Sequence, residues 1–227
     1  ENQILDFDLS PNGDRLVSAS KDGEIKLWSL SPVTLLNSFS TSKEARLSVF
    51  VDGGKKIFIA EGEGMGNFLK WYMLDAETLR VLQKGDLPDF TNYIQVSLNS
   101  DYISFVNRYT FKFTVLEFKD GQYVTAFESE DHKGMVVNIQ FSLNGGNILT
   151  ASHDGRARVF DVKRKKLKYA PLKYGFFFHS PISFSPDGKM FATSTGIGVD
   201  AVRPIIWDAE TGKILHELSH FSGVMDM

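Results

Sequence analysis

Apolar and polar residues alternate in short runs, as in Lys26-Leu27-Trp28 and Arg158-Val159-Phe160, punctuated by Asn-Gly, Asp-Gly and Glu-Thr-Gly turns. Alternation at a period of two gives each strand one face for a core, and the turn residues supply the positive φ that tight hairpins require. No window of helical period competes, so the pattern predicts about 20 short antiparallel strands.

The pattern also repeats. Ile4 through Trp28 superposes without a gap on Val136 through Phe160, aligning Ser10 with Ser142, Asp22-Gly23 with Asp154-Gly155, and Trp28 with Phe160. A third copy carries Phe184, Ser185, Pro186, Asp187 and Gly188 and closes on Trp207 and Asp208. With the apolar residue before each turn as marker, the positions are Leu9, Phe50, Leu98, Phe141 and Phe184, at intervals of 41 to 48 residues. That is the length of a four-stranded propeller blade; sandwiches do not repeat at this period.

These residues resemble the WD40 repeat family. The resemblance implies an all-β propeller in which a His, a Ser or Thr, an Asp and a Trp of each repeat form a buried hydrogen-bonded chain. Ser18, Asp22 and Trp28 match it in the first repeat, and His132, Thr150 and Asp154 in the fourth. Phe160 replaces the Trp there, removing the indole N–H and leaving the His-to-Asp and neighbouring links. The expected units are 1–39, 40–87 (degenerate, carrying Trp71 and Tyr72), 88–128 (degenerate), 129–172 and 173–218, with 219–227 opening a further repeat at His220. Since such propellers commonly have seven blades, five blades plus the start of another point to part of a longer chain or an open ring; a self-contained five-bladed ring is the alternative.

Composition narrows the function. The 227 residues are 42% hydrophobic, 23% charged and 13% aromatic, ordinary for a globular fold. A net charge of -3 gives no global pull toward nucleic acid or anionic membrane, and zero Cys excludes disulfides, thiolate metal sites and thiol nucleophiles. No run approaches the roughly 20 apolar residues of a membrane helix. Without an Asn-X-Ser/Thr sequon, the expectation is an intracellular protein of cytoplasm or nucleus, with no cofactor, metal or small-molecule substrate.

Several clusters invite chemistry. His132, Asp154 and Thr150 have the residue types of a hydrolytic triad, but they recur at repeat spacing, as a structural set does and a catalytic one need not. Residues 61–67 are glycine-rich, yet lack the Lys and following helix of a phosphate loop, and Glu61 and Glu63 would repel an anion; they are expected to form an enlarged hairpin loop, as are residues 195–202. Lys163, Arg164, Lys165, Lys166 and Lys168 form a basic turn, by default solvated and alternatively a nucleic-acid contact or a nuclear import signal. The family resemblance further implies a protein-binding top face formed by Gln3, Leu5 and Lys21 in the first repeat and by Met135, Val137 and His153 in the fourth. Spacing adds Glu44 and Arg46, Asn92 and Ile94, and Phe178 and Ser180. Leu5, Ile94, Met135, Val137 and Phe178 would form its apolar subset, unless some of them pack within the blade.

Three functions follow: a non-catalytic protein-interaction scaffold in a larger assembly, a nucleic-acid-contacting subunit of a ribonucleoprotein or chromatin complex using the basic turn, and an enzyme on a propeller frame. No paired carboxylates, activated nucleophile or metal set rises above the repeat background, which favours the scaffold.

Overall fold

The computed structural model describes residues 3–64, 67–174, 181–194 and 204–218. Strands β1 (Ile4–Leu9), β2 (Arg15–Ser20), β3 (Glu24–Leu30) and β4 (Val33–Ser40) form a first antiparallel sheet in chain order. β5 (Glu44–Val51), β6 (Lys56–Glu63), β7 (Asn67–Asp75), β8 (Val81–Val96), β9 (Tyr102–Asn107), β10 (Phe113–Lys119) and β11 (Gln122–Ser129) form the second. The third comprises β12 (Val136–Phe141), β13 (Asn147–Ser152), β14 (Arg156–Asp161) and a split outer edge, β15 (Lys166–Leu167) and β16 (Leu172–Lys173). The last comprises β17 (Ile182–Phe184), β18 (Met190–Thr193), β19 (Ile205–Asp208) and β20 (Ile214–Glu217).

The seven-stranded sheet is two four-stranded units sharing one strand. The first part of β8 pairs with β7 and its end, from Thr91 to Val96, pairs with β9, so β8 crosses the expected boundary at 87/88 unbroken. Four-stranded antiparallel units therefore succeed one another along the chain, the architecture of propeller blades.

A repeated turn joins the two inner strands in four of the five units; in the second, a short 3-10 turn over Asp52–Gly54 takes its place. Ser10, Ser97, Ser142 and Ser185 each accept a backbone bond three residues on, from Gly13, Ser100, Gly145 and Gly188. Each Ser hydroxyl also accepts a backbone N–H across the hairpin, at 2.9 to 3.0 Å. This registers the third unit differently from the sequence expectation: Val96, not Leu98, ends the inner strand, and Leu98 lies exposed in the turn. Ser100, with φ of 58°, replaces the glycine that marks the turn elsewhere, so the sequence carries no glycine signal for this turn.

Apolar cores lie between successive units. Val17, Ala19, Ile25 and Leu27 pack on Ile57, Ile59 and Leu74; Phe113 and Val115 pack on Ile148 and Phe160; Leu149 and Val159 pack on Phe191 and Trp207. Burial of each such side chain contributes about 1.5 to 3 kcal/mol. Inner strands are also stitched by side chains: Asp8 accepts the Phe50 N–H at 2.8 Å, and Gln140 at the matching position accepts the Phe184 N–H at 2.7 Å.

Candidate protein-binding face and its structural support

Four of the five described inner strands carry an irregularity at one repeated position; β17 pairs with β18 without one. The pairing of β1 with β2 skips Leu5, that of β5 with β6 skips Arg46, that of β8 with β9 skips Asn92, and that of β12 with β13 skips Val137. Such bulges re-aim side chains at the end of a strand. Two residues earlier stand Gln3, Glu44, Phe90 and Met135. The backbone carbonyls of Gln3, Phe90 and Met135 accept the N–H of Lys21, Arg108 and His153 at 2.9, 2.8 and 2.9 Å.

The structure thus brings together Gln3, Leu5 and Lys21 in one unit and Met135, Val137 and His153 in another. Glu44 and Arg46 form an ion pair, and Arg46 also donates to the Gly64 carbonyl. In the third unit the positions shift by two residues: Phe90, Asn92 and Arg108 occupy the three slots, while Ile94 is 3% exposed in the core beside Val96 and Ile103. Val137, 7% exposed, also packs in a core. Ile94 and Val137 are therefore not part of an exposed apolar patch, because each is packed into a core between neighbouring units. Leu5 and Met135 are half-buried; Phe178 and Ser180 lie outside the described residues, as do residues 195–202 and His220.

The buried polar chain is used unevenly. Trp28 Nε1 donates to Ser18 Oγ at 3.1 Å, and Ser20 Oγ donates to Asp22. Trp207 and Thr193 make the same link at 2.9 Å in the last unit, a pair that the sequence missed because the intervening segment is long. In the fourth unit His132 Nε2 lies 3.4 Å from Thr150 Oγ1, but among the described residues the expected His132-to-Asp154 link is absent and His132 Nδ1 has no partner. Arg158 displaces it: 2% exposed, it holds both Asp154 oxygens and also donates to the Asp131 carbonyl at 2.8 Å. Burial pushes the Asp154 carboxyl up, but Arg158 and the Lys133 and Arg156 N–H groups outweigh it and hold it below its usual range. Burial, reinforced by the Arg158 charge, lowers His132 to about 3.

The glycine-rich segment is not the expected enlarged loop. Glu61 and Glu63 belong to β6 and Asn67 starts β7, with Glu63 paired to Asn67. The Glu61 side chain is buried and accepts both the N–H and the hydroxyl of Ser42 at 2.8 Å. At the same strand position Ser152 donates to Gly134 and Asn107 to Asp89, each at 2.9 Å. One slot therefore ties three inter-unit connections through three different side chains, so no residue-type motif marks it. Burial, with Glu61 beside it, pushes the Tyr72 hydroxyl up to about 12. Gly62 is required because a Cβ there would collide with the Asn67 carbonyl.

In the basic turn, Arg164 pairs with Asp161 at 3.3 Å, Lys165 with Glu117 at 3.5 Å and Lys168 with Glu210 at 2.7 Å. Among the described residues, no three His, Cys, Asp or Glu side chains converge as a metal site, and no helix is long and apolar enough to cross a membrane.

The family model "WD domain, G-beta repeat" matches residues 1–29 and 121–161. Eukaryotic translation initiation factor 3 subunit I of Brugia malayi is 26% identical over 166 residues, covering 70% of this chain and 51% of that protein. The protein of the same name from Drosophila pseudoobscura pseudoobscura is 21% identical over 165 residues, covering 68% of this chain and 49% of that protein. The chain spans about half the length of the curated relatives it matches. Successive four-stranded units, Trp-to-Ser/Thr links in the first and last of them, and the matched segments lead to one conclusion: residues 1–29 and 121–161 are WD40 repeats, and the chain around them has the strand architecture of that family's propeller blades.

Proposed function

We propose that this protein is a non-catalytic interaction scaffold in an intracellular translation-initiation assembly, binding other proteins through its top face and loops. The observation that carries this is the similarity to two translation initiation factor 3 subunit I proteins across about two thirds of the chain. The recurring slots Gln3, Glu44, Phe90 and Met135 supply four differing side chains on one frame, a surface suited to a large protein partner. The triad-like residues support the same conclusion, because Asp154 is committed to Arg158 and His132 is buried.

The nucleic-acid alternative receives less support: Arg164, Lys165 and Lys168 are already paired with carboxylates, which lowers the positive field available to phosphates. Co-sedimentation of the protein from cell extract, with and without nuclease, separates the two. A scaffold stays with initiation-factor subunits after nuclease treatment. Release by nuclease, followed by loss of binding on neutralising Lys163, Arg164, Lys165 and Lys166, would establish the alternative.

A further inference from the structure

Phe90 has φ of 64°, a left-handed conformation that glycine adopts freely and a bulky residue rarely. The residue is 51% exposed, so burial does not offset the strain. Tyr109, 65% exposed, meets it edge to face with ring centroids 4.9 Å apart. The platform beneath is fixed. Arg108 N donates to the Phe90 carbonyl at 2.8 Å, Asn107 Nδ2 donates to the Asp89 carbonyl at 2.9 Å, and Asn107 Oδ1 accepts the N–H groups of Tyr109 and Thr110, each at 2.9 Å. A strained, rigidly mounted aromatic facing solvent contributes little to the fold and is a feature of recognition sites.

We propose that Phe90 and Tyr109 form a docking site for an arginine side chain presented by a partner protein. The carboxylate that precedes Phe90 in the chain selects the occupant. Asp89 is exposed and has no ion pair among the described residues, whereas Asp86, earlier in β8, is already paired with Lys70 at 3.9 Å. Of the turn's own cations, Lys112 is neutralised by Glu128 at 2.6 Å and Arg108 holds further contacts of its own. A guanidinium stacks on an aromatic face and bonds a carboxylate at its edge, whereas a nucleic acid would bring phosphates against Asp89. The site deepens the scaffold function and rests on it in one respect, that its occupant is a protein segment.

The test uses the full chain and a fluorescein-labelled Gly-Arg-Gly-Arg-Gly peptide, read by anisotropy beside its citrulline counterpart. The arginine peptide should bind about five-fold or more tightly than the neutral one. Phe90→Gly and Tyr109→Ala should each lose about the same factor. Phe90→Gly relieves the backbone strain, so it should melt within a few degrees of the parent, separating lost binding from lost folding. Equal binding of the two peptides, parent-like binding by both variants, or Tyr109-dependent binding of a uridine-rich oligonucleotide in place of the peptide would overturn the proposal. If partner assembly survives nuclease while the peptide fails, the arginine site alone is rejected; if assembly itself fails, the scaffold function is rejected.

Discussion

Arg158 and Asp154 meet as a buried fork, with Nη2 to Oδ2 at 2.7 Å and Nη1 to Oδ1 at 3.1 Å. The pair occupies the positions of Asp22 and Lys26 in the first unit, where Lys26 pairs with Glu24 instead, and it lies beside Thr150, which has lost its indole partner to Phe160. The fourth unit thus lacks the indole-to-hydroxyl bond and carries a buried ion pair close by, with consequences for stability.

Asp154→Ala strands the buried guanidinium and should cost about 3 to 5 kcal/mol, more than loss of an ordinary hydrogen bond. Arg158→Met combined with Asp154→Val removes both charges and should recover most of that loss. Urea unfolding of the three proteins checks both statements.

His132 gives the fold a sensitivity to mild acid. The unfolded chain protonates it near its ordinary value of 6.5, whereas the folded chain resists protonation down to about 3. Between those values the unfolded state binds more protons, so stability falls as pH drops, by up to about 1.4 kcal/mol per unit. His132→Gln should flatten that slope between pH 6.5 and 4. Stability measured against pH for the two proteins, with parallel curves, would remove His132 as the cause.

The two Trp-to-hydroxyl links should differ in worth. Trp207 is buried against the preceding unit, whereas Trp28 is only partly covered and shares its face with exposed Phe7, Leu9 and Leu35. Trp207→Phe leaves Thr193 Oγ1 without its donor in a dry site and should cost about 1 to 2 kcal/mol. Trp28→Phe should cost less, since water can replace the indole N–H. Thermal unfolding ranks them.

Glu61→Ala leaves the Ser42 N–H without its acceptor and should cost about 1 to 3 kcal/mol, while Glu61→Gln, which keeps one oxygen, should cost less. Equal melting temperatures for both variants and the parent would show that the carboxylate does not secure the connection to β5.

Much of this architecture is legible in the sequence because strand alternation and turn chemistry are local. Asp22-Gly23 and Asp154-Gly155 announce hairpins, and Ser18 with Trp28 announces the polar link. What is not legible depends on equivalence of position without equivalence of residue. Glu61, Asn107 and Ser152 do one job with three chemistries, and Leu74 and Leu116 fill the Trp28 position by register alone. Trp71, the aromatic that marks the second unit in the sequence, instead faces the following unit. Ser100 in place of glycine hides a turn, and the two-residue shift that follows exchanges a buried Ile94 for an exposed Phe90 among the candidate contacts.

The most direct test compares initiation-factor subunits captured after nuclease treatment by the parent and by a protein carrying Lys21→Glu with Met135→Glu. A scaffold acting through this face should retain its partners in the parent and lose most of them in the variant, with its melting temperature unchanged. Equal capture by the two proteins would contradict binding through this face, and an absence of nuclease-resistant partners from the parent would contradict the scaffold itself.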